Sequence, residues 1–493
     1  MGTALFETIY INFTGGIVSP GYLKDVLETA VAAKVKDVRF GLRQQMIIDV
    51  PAKQVANFME DCKAKNIICS LKKEGAPNIL SAYTAVDIFT TDTWVREGVY
   101  KDIFNFFDYV PAIKINITDR NQSFVPFFTG HANWISSGSI HFWYLYVRFP
   151  KTEQAYCFPE LIYTNDIAVV SKAVEKVIMN HTICNENELH KKITSLAQFI
   201  SKPIEKELQL PKFSLPYYEG FNWHNNNYWL GIYRRDETFP IQFLADLCMI
   251  CTKTKIGQMY TTPWKSIIIK NIENTDRSLW DYTLGKYRIN VRHAANELNW
   301  QVEDDCEDGL QLKRHLIRFF DKEDVRTYGL SFAVKIKPFS RLFGSIMVRK
   351  QQVKNPDRLK ALERFEILYT ADFNPNTASL IQFRKDVEKE HVGTYLVSLC
   401  KYFYERESDV KSLFLEPFDN CANMQKEQQV VKEVYQCKHC FSVYEEVPGD
   451  IENNIAPGTS FNDLPEFYQC SLCAAGKADF IRVSEHSLQL QDN

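Results

Sequence analysis

At 493 residues the chain is long enough for about three units of ordinary domain size, with two or four as alternatives, and a single small core is excluded. Its 58 Lys and Arg stand against 61 Asp and Glu, so a net charge of -3 argues against a basic nucleic-acid binder, and no apolar run reaches the roughly 18 residues that a membrane span needs. A hydrophobic share of 45% with 13% aromatics is ample for packed cores. No Lys or Arg precedes Lys24, so the basic region of a secretory signal is lacking and the expectation is a cytoplasmic chain. Thirteen cysteines, an odd number and mostly scattered singly, do not make a disulfide framework.

An internal repeat organises the first part of the chain. A constant offset of 221 residues lays Leu23–Ile48 over Leu244–Ile269, with Leu23 on Leu244, Asp25 on Asp246, Lys34 on Lys255, Ile47 on Ile268 and Ile48 on Ile269. Each copy has a turn (Ser19-Pro20, Phe239-Pro240), a helical pattern with apolar Tyr22, Leu23, Val26, Leu27 and Ala30 in the first, a loop and a short strand. Ile140–Phe149 and Cys157–Tyr163 then read as strands and Asp166–Ile178 as a helix. In the second half Ser331–Lys337, Leu342–Val348 and Phe365–Thr370 read as strands, and Leu380–Arg406 as one long helix with charges on one face. The polar stretch 407–431, ending in Gln425-Lys-Glu-Gln-Gln429, is the expected linker to a separate module.

Within that module Cys437 and Cys440 form a C-x2-C pair, followed after 29 residues by a second pair, Cys470 and Cys473. Two facing C-x2-C knuckles place four thiolates at tetrahedral corners, which suits iron or zinc, and the spacing alone leaves an iron site and a structural zinc ribbon both open. Between the pairs stand Val443-Tyr444, Pro448-Gly449-Asp450, Asn454-Ile455-Ala456-Pro457-Gly458-Thr459, Phe461 and Asp463-Leu464-Pro465, with Tyr468 before the second knuckle and Gly476-Lys477 and Phe480 after it. This string resembles rubredoxin over residues 435–480. The resemblance implies one iron on Cys437, Cys440, Cys470 and Cys473 and single-electron transfer. It departs from the family at Phe441 and Ala474, where glycine is usual, and at Ser471, where proline is usual. A non-glycine residue with positive φ costs roughly 1 kcal/mol, which metal binding of order 10 kcal/mol absorbs. These departures keep zinc in view.

Ahead of the module, Gly15-Gly16-Ile17-Val18-Ser19-Pro20, a helix and then Val38-Arg39-Phe40-Gly41-Leu42-Arg43-Gln44 resemble the ferredoxin-like half-domain of sirohaem-dependent nitrite and sulfite reductases, whose motif is R-x-T-x-R-Q after a G-G-x-x-S/T turn and helix. Tyr260-Thr261-Thr262-Pro263-Trp264-Lys265 is similar to the T-P-W-Q of that family's second half-domain. The implied fold class is α+β: a duplicated ferredoxin-like half-domain plus α+β domain, followed by a small metal-stapled β domain. The implied division is half-domain 1 at 1–75, α+β domain 1 at 76–225, half-domain 2 at 226–300, α+β domain 2 at 301–415, a linker at 416–431 and the rubredoxin-like domain at 432–484. The resemblance gives Arg39, Arg43 and Gln44 a residual role on sirohaem carboxylates, which guanidiniums can clamp bidentately. A plain surface pairing of those arginines with acidic neighbours is the alternative.

The family's C-x5-C and C-x3-C cluster ligands are absent, and so is the arginine before the Gly-Gly turn, where Tyr10-Ile11-Asn12-Phe13-Thr14 stands. Two alternating lysines after a proline are replaced by Pro111-Ala112-Ile113-Lys114-Ile115. Six-electron reduction of an oxyanion needs dense positive charge and a wired electron source. The expectation is therefore an electron-transfer protein with no catalytic residue and a degenerate body that either docks a redox partner (a nitrite or sulfite reductase, or a ferredoxin or rubredoxin reductase) or binds a tetrapyrrole, with sirohaem disfavoured as a cofactor. A divergent sirohaem reductase fed by its own rubredoxin and a zinc-holding scaffold are the competing readings. Of the remaining candidates, Cys248 and Cys251 read as core, His131 as a loop histidine and His224–Asn227 as a polar loop, while an anion contact by Arg292-His293, before a helix over 294–300, is the lesser reading of that pair.

Overall fold

The computed structural model describes residues 5–71, 77–90, 93–150, 152, 155–180, 186–338, 340–351, 363–377, 379–412, 433–444, 446, 449–450, 453 and 455–484. The linker expected at 416–431 lies outside them, as do Pro448 and Asn454 of the module. The chain divides into two compact units. One is drawn from Met1–Arg314, Thr327–Arg349 and Leu368–Ile381, the other from His315–Arg326, Lys350–Ile367 and Gln382–Asn493.

The first unit begins with β1 (Phe6–Ile11), β2 (Ile17–Val18), α1 (Pro20–Ala32), β3 (Asp37–Phe40), β4 (Met46–Pro51), α2 (Val55–Ala64) and β5 (Cys69–Leu71). α1 starts where it does because the Ser19 hydroxyl accepts from the Tyr22 amide and Pro20 fills a first-turn position that needs no N–H. β6 (Ile79–Ser81), α3 (Glu97–Asn105), β7 (Ile115–Thr118), β8 (Ala132–Ser136), β9 (Phe142–Arg148), β10 (Ala155–Cys157), β11 (Glu160–Tyr163), α4 (Ile167–Met179), α5 (Glu186–Leu196) and β12 (Ser201–Pro203) follow. Their strands make a seven-stranded sheet in the order β12-β11-β9-β8-β7-β6, with β10 paired to β9.

The second copy holds β13 (Gly220–His224), β14 (Asn227–Ile232), β15 (Thr238–Pro240), α6 (Ile241–Lys253), β16 (Met259–Thr261), β17 (Ile267–Ile272) and α7 (Arg277–Lys286). The stretch expected as a polar loop at His224–Asn227 is a tight hairpin, with Asn225 and Asn226 at φ 48° and 65°, as a two-residue turn of a right-twisted ribbon requires. The two copies exchange edges: β2 pairs with β16, and β15 with β3. Residues 17–18 and 238–239 are themselves 221 apart, so each copy's edge strand completes the other's sheet. α1 lies on α6, and Leu23, Val26, Leu27 and Ala30 share one core with Leu244, Leu247, Cys248 and Cys251, the residues 221 positions on. Left-handed backbone repeats at that same offset, at Gly16 and Glu237 (φ 78° and 56°), Lys34 and Lys255 (64° and 58°), and Gln44 and Lys265 (62° and 54°).

α8 (Ala295–Leu298), β18 (Trp300–Val302), α9 (Glu307–Lys322), β19 (Phe332–Lys335), β20 (Ile346–Lys350), β21 (Arg364–Thr370), β22 (Leu380–Glu388) and α10 (Lys389–Ser412) come next. β18, β19 and β20 run parallel. The strand expected over 342–348 begins only at Ile346; before it, Gly344 comes so close to the backbone of Ala333 that a Cβ would lie 2.8 Å from its nitrogen. The helix expected over 380–406 is a strand followed by a helix. Half-buried Ile381 and Phe383 alternate with exposed Gln382, and buried Val387 with exposed Asp386 and Glu388, which is a period of two, and Asp386 at φ 59° marks an irregularity in the strand.

The second unit contains the later part of α9, the first half of β21, β22 from Gln382, α10 and the C-terminal module. Gly393 of α10 lies against the ring of Phe319, where a Cβ would come within 2.6 Å. The module is a three-stranded sheet, β24-β23-β25, made of β23 (Glu433–Cys437), β24 (Val443–Tyr444) and β25 (Phe480–Ser484). No helix among the described residues is long and apolar enough to cross a membrane.

Candidate metal centre

The two knuckles of the module are copies of one backbone turn. Cys437 N donates to Ser442 O and Cys470 N to Ala475 O, both at 2.8 Å, while Phe441 N donates to Cys437 O at 2.9 Å and Ala474 N to Cys470 O at 2.8 Å. Phe441 and Ala474 take φ of 59° and 56°, the left-handed conformation that glycine adopts without cost. The turn therefore keeps its shape although both glycines are replaced.

These turns bring the sulfurs of Cys437, Cys440, Cys470 and Cys473 within 4.8 Å of one another, and no other such group of metal-ligating side chains occurs among the described residues. Cys440 Sγ lies 3.4 Å from Cys470 Sγ, and Cys437 Sγ 3.6 Å from Cys473 Sγ. A tetrahedral centre with metal–sulfur bonds of about 2.3 Å has edges of about 3.8 Å, so the donor set fits one thiophilic ion. The Cys440–Cys470 contact polarises that pair, holding the Cys470 thiol well below its ordinary range and Cys440 above it. Backbone N–H groups of Leu472 and Cys473 also favour the Cys470 thiolate, the form that binds metal. Ser442 adds a hydroxyl 3.1 Å from Cys440 Sγ and 3.0 Å from Cys470 Sγ.

An aromatic cluster forms the module's core, and Phe480 of that cluster also packs against the cysteines. Tyr435 stacks on Phe461 at 4.0 Å between centroids, and Phe480 lies 5.2 Å from Phe461. The Tyr468 hydroxyl donates to Asp450 and that of Tyr444 to Thr459 O, so each buried ring keeps its polar end satisfied. Gly449, at φ 68°, lies against the Ala456 backbone so closely that a Cβ would approach within 2.6 Å.

In the body, the side chains expected to face sirohaem have internal partners. Arg39 is 2.8 Å from both Asp49 and Asp305. Arg43 is buried, with its terminal nitrogens on Asn116 Oδ1, Asn78 O and Ile115 O, and burial together with nearby Arg148 lowers its pKa to about 9. Gln44 is fully buried and bridges Ser81 to Thr261 O. Positions Gly16 and Gln44 recur 221 residues on as Glu237 and Lys265, which form a buried ion pair at 2.7 Å, with Lys313 on the other Glu237 oxygen at 2.9 Å. Burial would raise the Glu237 pKa, but the two lysines outweigh it and hold the carboxyl at about 2. Beside this pair a cavity of about 270 Å³ is lined by Asp49, Glu237, Glu303, Asp304, Asp305 and Glu307 against only Arg39 and Lys265. Arg39 is neutralised, Gln44 is enclosed, and Arg43 keeps only a buried Nε without a partner. This set does not fit the carboxylates of an anionic tetrapyrrole.

Three further candidates are structural. His131 accepts from the Lys114 amide through Nδ1 and stays neutral, because burial, Arg148, Lys114 and Arg43 push its pKa down to about 3. His293 pairs with the Glu219 carboxylate at 2.7 Å, and the helix expected over 294–300 is only α8, since Trp300 opens β18. Cys248 and Cys251 are buried in the shared core, where burial raises both thiols.

The rubredoxin family profile matches residues 434–480. Over 50 residues the chain is 44% identical to Rubredoxin 4 of a Rhodococcus species, covering 10% of this chain and 83% of that protein. The chain belongs to the rubredoxin family. Rubredoxin-2 of Chlorobaculum tepidum is 39% identical over 51 residues, 10% of this chain and 98% of that one. The high molecular weight rubredoxin of Moorella thermoacetica is 53% identical over 49 residues, 10% of this chain, and the match spans only 21% of that protein's length. In fold, the chain is similar to the NirA protein of Mycobacterium tuberculosis, with a TM-score of 0.62 and 13% identity over 82% of this chain and 81% of the other. The rubredoxin domain is thus fused to a body that shares the fold of the NirA protein, and its four-cysteine cluster supports iron-based electron transfer. Two residues near the cluster were not singled out from the sequence: Ser442, hidden as an ordinary serine, and Arg384, which stands 55 positions from the knuckle residue it touches, His439.

Proposed function

We propose that Cys437, Cys440, Cys470 and Cys473 hold one iron atom, that the chain passes single electrons through it, and that the reductase-like body receives a redox partner rather than performing chemistry. The observation that carries this reading is the four-sulfur group within 4.8 Å on two superposable turns. When bound, iron supplies a one-electron couple. The protein's part is to hold four thiolates in one geometry in both oxidation states, with amide and hydroxyl donors aimed at the sulfurs.

Charge supports the role of the body. Residues 431–493 contain ten acidic and four basic residues, or -6, which against -3 overall leaves +3 for residues 1–430. An acidic carrier beside a mildly basic body suits transient docking of a partner such as a ferredoxin or rubredoxin reductase, or a nitrite or sulfite reductase. The division into half-domains at 1–75 and 226–300, α+β domains at 76–225 and 301–415, a linker at 416–431 and the module at 432–484 is part of the same proposal.

A visible spectrum with metal analysis of the purified full chain tests the reading. One iron per chain with ferric tetrathiolate absorption is expected. A colourless sample holding one zinc would overturn electron transfer in favour of a structural site, and a Soret-like band would overturn the reading of the body.

A further inference from the structure

Arg384, on β22 in the second unit, reaches the first knuckle. Its Nη2 donates to His439 O at 3.2 Å, between the two cysteines of the pair. Its guanidinium carbon lies over the ring of Phe441, nearer to that centroid than to those of Phe383 at 5.0 Å and Tyr395 at 5.3 Å. Burial lowers its pKa, and Tyr395, Cys440 and Cys437 nearby act in the opposite direction. The side chain is half-buried, and no carboxylate pairs with it among the described residues.

The residue beneath it is one of the module's departures from its family. Phe441 holds a left-handed conformation that a glycine would adopt without steric cost. Its ring provides the aromatic face on which a guanidinium stacks favourably, and Arg is the cation best suited to do so while also donating to a carbonyl.

We propose that Arg384 is a positioning residue that sets the reduction potential of the four-cysteine site, holding a fixed cation on the first knuckle. This rests on the iron reading above. A ferric centre with four thiolates carries a charge of about -1; one electron taken from a protein donor makes it about -2, with no bond broken and no proton required. A nearby partly desolvated cation stabilises the more negative form, so the equilibrium shifts toward the ferrous state. Phe441 and the His439 carbonyl hold that cation in place.

The experiment is a spectroelectrochemical titration of the iron-loaded full chain as wild type, R384Q, R384M, R384K and K385Q, the last an exposed neighbour on the same strand. At a fixed ambient potential the ferrous-to-ferric ratio is expected to fall at least about threefold in R384Q and R384M, or about 28 mV at 59 mV per tenfold for one electron. R384K should stay within about twofold of wild type, and K385Q within about 1.5-fold. A merely structural role would shift R384K as much as R384Q. In the zinc-loaded protein, R384Q should also move the NMR signals of the Phe441 ring, a readout independent of redox activity. An unchanged or raised ratio in both neutral variants, or an equal shift in K385Q, would overturn the inference. Absence of tetrathiolate absorption in the wild type would instead overturn the iron reading.

Discussion

Ala474 and Ala475 are adjacent alanines at the second knuckle, yet replacing each with glycine should change stability in opposite directions. Ala474 has φ 56°, where a Cβ costs about 1–2 kcal/mol. Glycine removes that strain but gives back about 0.4–1 kcal/mol through the greater freedom of the unfolded chain, so A474G should gain about 0.5–1 kcal/mol. Ala475 is not among the left-handed residues, and its carbonyl accepts from Cys470 N while its methyl packs beside the cysteine cluster. A475G therefore pays the entropy in full and loses up to about 0.8 kcal/mol of methyl burial, a loss of about 1–1.5 kcal/mol. Chelator competition on the full chain reads both: A474G should hold metal about two- to fivefold more tightly, and A475G about five- to tenfold more weakly. Weaker binding in A474G, or shifts of the same sign at both positions, would refute the claim that the knuckle stores strain at residue 474.

C437S should lose the metal and, with it, the cooperative unfolding of the module, since roughly 50 residues have too little core alone, while the body's melting transition stays in place. R43M should lower the body's stability by about 2–4 kcal/mol in urea, because Asn116 Oδ1, Asn78 O and Ile115 O lose a buried donor. Glu237 is held at about 2 against an ordinary 4.5, so its contribution, up to about 3 kcal/mol, is complete above pH 4.5 and is lost as pH falls toward 2; the melting temperatures of wild type and E237Q should converge over that window. Electron transfer between the acidic module and a partner should slow as ionic strength rises, since screening at 0.15 M shortens the interaction range to about 8 Å; a rate flat with salt would mean that apolar contact governs docking.

Features set by short-range physics were legible in the residues alone. Two C-x2-C pairs imply two tight turns, and Phe441 and Ala474 were legible as strained positions because the turn geometry demands positive φ whatever residue stands there. The 221-residue repeat was legible because helix and strand periodicities survive duplication, and its left-handed positions turn out to recur at the same offset. Where two periodicities compete locally the reading failed: Leu380–Glu388 adjoins a true helix and shares its charged character, and only its placement in a sheet makes it a strand. Which group neutralises which charge emerged only from long-range packing. Arg39 finds Asp305 266 positions away, Gln44 is enclosed by Ser81 and Thr261, and Arg384 settles on the ring of Phe441. A charge is satisfied by whatever the fold brings within a few ångströms, and residues tens or hundreds of positions apart carry no local pattern that announces the meeting.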